Sequence, residues 1–214
     1  MLDHKTISLA DQVFEKLETD ILSGKYSRGE ILTELKISEN LGVSRTPVRE
    51  ALNRLAVEHI IEETSRGSMV VGINEEDLMD IYEIRCAIEG MAAEKAALRI
   101  TEEELSKLTE LVDLQEFYST RKDADHIKSM DNDFHDLIYK YSGSAVLYST
   151  LVPLHKKIQK YRKVAVENEI RAELSVKEHR EILRAISLRD ADLARQKMTE
   201  HVKNAYAHII NKEN

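Results

Sequence analysis

The chain has 214 residues, with seven glycines, two prolines, one cysteine and no tryptophan. Average usage gives roughly twice that glycine and about five times that proline, which leaves little room for the tight turns of a sandwich or barrel. The formal charge is −8, and residues 1–73 hold nine Lys and Arg against twelve Asp and Glu, which excludes a bulk-basic, non-specific nucleic-acid binder.

Long helices are therefore expected, in one or two domains. No apolar run approaches the roughly 20 residues that span a bilayer. The start, Met1 to Lys5, lacks the basic-then-apolar pattern of a signal peptide. A single cysteine, Cys86, makes no internal disulfide. A cytoplasmic protein with no membrane partner is expected.

Texture changes near Ile73. Before it, segments are short and punctuated, as at Ser23-Gly24, Ser27-Arg28-Gly29 and Ser65-Arg66-Gly67-Ser68; after it, glycine occurs only at 90 and 143 and proline only at 153. Two domains, 1–73 and 74–214, are expected. In the first, helices are expected over about Ser8–Ser23, Glu34–Leu41 and Arg45–Glu58. A hairpin of Ile60–Thr64 and Met69–Val71 should follow, turning at Ser65–Ser68. The second reads as an antiparallel bundle of about six helices, with breaks near Arg99–Thr101, Ser119–Lys122, Ser142–Ser144, Glu169–Arg171 and Arg189-Asp190. Thr101 and Glu104 have the spacing of a capping box. The fold class is mainly α: a winged helix-turn-helix followed by an all-α bundle.

The segment Leu41 to Leu52 is the most informative stretch of the first domain. Ser44 suits an N-cap and Pro47 the first helical turn. Val48, Ala51, Leu52 and Leu55 then share one stripe, and Arg45, Thr46, Arg49 and Asn53 another face. An apolar back and an Arg/Thr/Arg front, preceded by a helix and tight turn, suit a recognition helix in the major groove. There arginine forks onto guanine and threonine touches phosphate or a thymine methyl. The hairpin tip with Arg66 would lie alongside as a wing. The bland alternative is an ordinary solvated face.

Gly42-Val43-Ser44-Arg45-Thr46-Pro47-Val48-Arg49-Glu50-Ala51-Leu52, then Arg54-Leu55 and Arg66-Gly67 with Val70, resembles the winged helix of the gluconate-repressor (GntR) superfamily. The resemblance implies DNA contacts from Ser44, Arg45, Thr46, Arg49, Arg66 and Gly67. Two positions depart from the family pattern. Leu35 and Lys36 stand where an arginine is frequent, and His59 where a glycine precedes the hairpin.

In the second domain, Ile127, Met130, Phe134, Ile138 and Tyr141 form an apolar stripe that also contains Asp131 and His135, one turn apart. His179 joins the stripe of Val176, Leu183 and Ile186. His201 joins that of Ala194, Met198, Ala205 and Ile209. One carboxylate and three imidazoles facing a single interior need a common partner, and a divalent metal satisfies all four. An ion-pair network without metal is the bland alternative. His208, seven residues after His201, is a rival ligand; His4, His59, His126 and His155 read as surface or packing residues.

Arg85 lies among Leu78, Ile81, Ile88 and Ala92, and a buried guanidinium needs an anion. Glu89, one turn on, is one partner. The other is a small organic acid that also coordinates the metal, since four protein ligands on a six-coordinate ion leave two places.

Ile84-Arg85 with Glu89 and Ala92-Ala93, Asp131 to His135, Glu178-His179-Arg180 with Ala185-Ile186, and His201 together resemble the FCD effector domain of the fatty-acid-degradation-regulator (FadR) subgroup. The resemblance implies Zn, Ni or Mn held by Asp131, His135, His179 and His201. The whole chain then reads as a homodimeric, ligand-responsive transcription factor, most often a repressor. Its partners are double-stranded DNA with a palindromic operator and an organic-acid effector at Arg85. A metal-dependent hydrolase using the same Asp/His3 set is the alternative.

Overall fold

The computed structural model describes residues 7–158 and 169–213. The chain divides into two compact units, Met1–Glu75 and Glu76–Asn214.

The first unit opens with α1 (Leu9–Leu22), capped by the Ser8 hydroxyl, and a two-residue strand β1 (Ile31–Leu32) follows. Next come α2 (Glu34–Leu41), capped by Thr33, and α3 (Arg45–Val57). Strands β2 (Ile61–Thr64) and β3 (Gly67–Val70) complete an antiparallel sheet in the order β1-β3-β2. The hairpin was legible in the sequence; β1, two residues flanked by turns, was too short to show a period. The β1–β3 pairing forces the choice of glycine at 67, because a Cβ there would meet the Leu32 carbonyl oxygen at 2.6 Å. Val48, Ala51, Leu52 and Leu55 of α3 are all buried against Phe14, Leu17 and Ile21 of α1, as their stripe requires.

Helix α3 ends where the family pattern has glycine. His59 takes a left-handed φ of 58°, its amide reaches the Ala56 carbonyl, and the Ile60 amide reaches that of Leu55. These two bonds make a Schellman closure, so the turn into β2 is the one glycine would form, with a side chain in a costly conformation.

Six helices make up the described part of the second unit: α4 (Glu75–Arg99), α5 (Glu102–Thr120), α6 (Ala124–Tyr141), α7 (Ala145–Lys157), α8 (Glu169–Ser187) and α9 (Ala191–Glu213). Thr101 and Glu104 form the reciprocal capping box at the start of α5. Helix α8 begins at Glu169, in the stretch where a break was expected, and residues 159–168 before it lie outside the described residues. Arg171 turns inward and forks onto Glu178, two turns along α8, at 3.0 and 2.7 Å, which ties the first turn to the helix body. Helix α5 packs on α6 and α8, and α8 on α9. Helices α4 and α9 meet closely at Gly90, where a Cβ would stand 2.6 Å from Thr199 Oγ1. That contact brings the Arg85–Glu89 turn up against the His201 turn.

Candidate functional site

Four side chains from three helices converge in the second unit. Asp131 and His135 come from α6, His179 from α8 and His201 from α9; all are buried, and one ligand atom of each lies within 4.8 Å of the others. His135 Nε2 and His201 Nε2 are 3.2 Å apart, and His179 Nε2 is 3.5 Å from Asp131 Oδ1. Phe134 stacks on the His179 ring at 4.0 Å between centroids and fixes its plane. Asp133, two residues after Asp131 and off the apolar stripe, is exposed, and His208 lies outside the quartet.

Each imidazole is held from behind by an acceptor. His135 Nδ1 donates to Glu89 Oε2 at 3.0 Å, His179 Nδ1 to Gln115 Oε1 at 2.9 Å, and His201 Nδ1 to Glu178 Oε2 at 2.7 Å. With the proton on Nδ1, every Nε2 presents a lone pair to the centre, the orientation that outer acceptors impose on metal-bound histidines. The Nε2 atoms of His135 and His201 face each other at 3.2 Å, and with both protons on Nδ1 their lone pairs oppose one another. Their repulsion is relieved by a cation, so the donor set fits a divalent transition metal. Burial and the neighbouring His135 hold the His201 imidazolium pKa down at about 4, which keeps the ring neutral near pH 7.

The carboxylates behind the rings are anchored in turn. Arg85 Nε donates to Glu89 Oε1, so Glu89 bridges Arg85 and His135. Burial raises the Glu89 pKa, but Arg85 and His135 outweigh it and hold the group well below the usual carboxylate range. For Glu178, burial is likewise opposed by the bonds from His201 and Arg171, and the pKa falls to about 2. Glu89, His135 and His155 form a second close trio, but two of its members are already bonded to each other. His155, expected as surface or packing, is buried and bonded to Tyr139 and Asn132.

The quartet itself lines a pocket that opens to solvent. Arg85, Gln115, Tyr82, Arg171, Ile127 and Val176 contribute to its walls. Gln115 and Arg171 were given no role from the sequence, and Glu178 entered only as part of the motif around His179. The signal for Gln115 was present: it follows Leu108 and Val112 in the buried stripe of α5, a polar residue among apolar ones, as the histidines are in theirs.

In the first unit, Ser44, Arg45, Thr46 and Arg49 are all exposed at the start of α3, and Arg66 is exposed at the hairpin tip. Gly67 is half-buried under Leu32. Ser44 occupies the N-cap position, yet its hydroxyl makes no capping bond. Arg45 and Arg49 share one carboxylate that sequence reasoning passed over. Arg45 donates to Glu34 from Nε and Nη2 at 3.1 and 2.9 Å, and Arg49 from the same atoms at 2.7 and 2.9 Å. The Arg49 hydrogen bond is the main cause holding the Glu34 pKa at about 2.

Residues 9–71 match the model of the gntR family of bacterial regulatory proteins, and residues 80–204 match the FCD domain. The chain belongs to the GntR family. The HTH-type transcriptional repressor RspR of Escherichia coli (strain K12) is 30% identical to it over 193 residues, covering 90% of this chain and 85% of that protein. The gluconate operon transcriptional repressor of Bacillus licheniformis is 29% identical over 183 residues, covering 83% and 75%. The solved structure of E. coli McbR/YncC has the same fold, with a TM-score of 0.81 at 24% identity over 98% of this chain and all of that one. This GntR protein is thus a transcriptional regulator with an N-terminal winged helix-turn-helix and a helical FCD domain, and not an enzyme. The Asp/His3 hydrolase considered from the sequence falls away on that membership. No helix among the described residues is long and apolar enough to cross a membrane.

Proposed function

We propose that this GntR regulator is a homodimeric repressor whose FCD domain senses a small carboxylate through a divalent metal. Residues 1–73 are the DNA-binding part, reading a palindromic operator with Ser44, Arg45, Thr46, Arg49, Arg66 and Gly67. Residues 74–214 bind the effector and dimerise. Asp131, His135, His179 and His201 hold the ion, Zn, Ni or Mn, and Arg85 receives the acid. When bound, the ion supplies charge and open coordination places for the acid. The effector shifts DNA affinity only as far as it binds the two states of the regulator unequally.

One observation carries the metal reading: three imidazoles, each proton-fixed on Nδ1 by an outer acceptor, aim lone pairs at one point beside a carboxylate. Dimerisation is supported by an exposed apolar row on α4, Ile84, Met91 and Leu98, repeating every seven residues as a helix–helix seam does. The names of RspR and the gluconate operon repressor support repression. Elemental analysis of the purified chain is the direct test. About one transition-metal ion per chain is expected, lost in His179→Ala and restored by no other site. A wild-type chain that stays metal-free after zinc dialysis sinks the metal reading.

A further inference from the structure

The pocket that the quartet lines also presents two unsatisfied donors. Among the described residues, neither Arg85 Nη1 nor Gln115 Nε2 has a hydrogen-bond partner, although both side chains are at most 2% exposed. Gln115 spends its oxygen on His179 and so has only N–H groups left to offer. Two buried N–H groups of this kind are costly unless an acceptor enters.

The charges around the same space can be counted from contacts. Arg85 is matched by Glu89 and Arg171 by Glu178, each in direct ion-pair contact. Asp131 adds one negative charge, and the three histidines act as neutral donors. A divalent ion on the quartet leaves the site with one surplus positive charge.

Resting on the metal-and-carboxylate reading above, we infer that the effector is a singly charged carboxylate, received by Arg85 Nη1 and by Gln115 Nε2. One negative charge neutralises the loaded site. A second carboxylate would lose its hydration on entry and find no unengaged guanidinium among the described residues of the pocket wall, because that of Arg171 is already forked onto Glu178. The apolar walls at Tyr82, Ile127, Val176 and Ala205 suit the uncharged remainder of such a molecule. Gln115 then touches the ligand with one end of its amide and a metal-bound imidazole with the other, a binding residue coupled to the metal.

Calorimetry on the zinc-loaded full chain compares acids of matched length: propionate against malonate, and butyrate against succinate. The monoanions are expected to bind at least about tenfold more tightly at equal pH and ionic strength. Gln115→Glu keeps an acceptor for His179 Nδ1 and adds one negative charge. It is expected to retain its zinc while losing about tenfold or more in propionate affinity. Equal or tighter binding of the dianions overturns the inference and leaves acid sensing intact. A zinc-retaining Gln115→Glu chain with unchanged propionate affinity removes Gln115 from the site. Should neither class of acid bind the zinc-loaded chain, the carboxylate reading itself fails and this inference with it.

Discussion

Glu34 Oε1 accepts from Arg49 Nε at 2.7 Å, and the same carboxylate also takes both donors of Arg45. The two arginines expected to read bases are therefore held side by side on one anion at the start of α2. Any phosphate that approaches must compete with it. A base edge that meets both forks in their held geometry competes better than a randomly placed phosphate.

Glu34→Gln is accordingly expected to tighten binding to random duplex by about threefold to tenfold, and to tighten binding to a duplex selected from a random pool by less. Discrimination falls. Arg45→Ala and Arg49→Ala should each weaken binding to the selected duplex by about 1–3 kcal/mol. Fluorescence anisotropy at matched salt measures all three, and full selected-duplex affinity in both arginine variants would refute the recognition-helix assignment.

The outer acceptors of the histidines should matter nearly as much as the ligands. Glu178→Gln leaves His201 an acceptor but removes the charge that Arg171 and His201 share, and a loss of about 10–100-fold in zinc affinity is expected. Zinc at 1,000 times its dissociation constant should stabilise the wild-type chain by about 4 kcal/mol, seen as a higher melting temperature that chelation reverses. Competition against a chromophoric chelator measures the first effect and thermal melting the second. An unchanged zinc affinity in Glu178→Gln would contradict the positioning role.

Most of this fold was legible because helices write long periodic messages. The stripe of Val48, Ala51, Leu52 and Leu55, and the inward placement of Asp131, His135, His179 and His201, follow from spacing alone. Partnerships between elements were not legible. Glu34 and Arg49 are 15 residues apart, and Gln115 and His179 are 64 apart. No local period links such pairs, and they form only after the helices pack. The reach of Arg85 to Glu89 was visible as a possibility, but the further bond from His135 to that carboxylate was not.

His59 offers a test of the fold in the first unit. Its φ of 58° closes α3 where glycine carries no Cβ penalty, and the two Schellman bonds that use this conformation are backbone bonds. His59→Gly keeps both. The side chain is exposed, so little packing is lost. Removing the left-handed strain of about 1–2 kcal/mol is partly offset by the freer unfolded chain, leaving a net gain of about 0.5–1 kcal/mol. Urea unfolding of the two proteins measures it, and a destabilised glycine variant would show that His59 contributes a contact beyond its backbone role.

Acid should unfold the chelated protein by a route that passes through His201. Its imidazolium pKa is about 4 in the folded chain, lowered chiefly by burial, against an ordinary value of 6.5. Between those values the unfolded chain holds a proton that the folded chain refuses. Stability from this group is therefore complete above pH 6.5 and falls as pH drops towards 4, by on the order of 3 kcal/mol at most. Glu178 acts in the same direction at lower pH. Its folded pKa of about 2 lies below the ordinary 4.5, so its contribution is present above 4.5 and fades below it. The urea midpoint of chelated protein should thus decline from pH 7 to pH 5, through His201 together with His155, whose pKa burial also holds well below the ordinary 6.5. His201→Gln should remove its share of that decline and leave the share of His155, while lowering the plateau at pH 7, since the glutamine cannot titrate but fills the ring's place less well. A wild-type midpoint that stays constant across this range would show that the folded chain accommodates the His201 charge, against the burial and proton placement described for it.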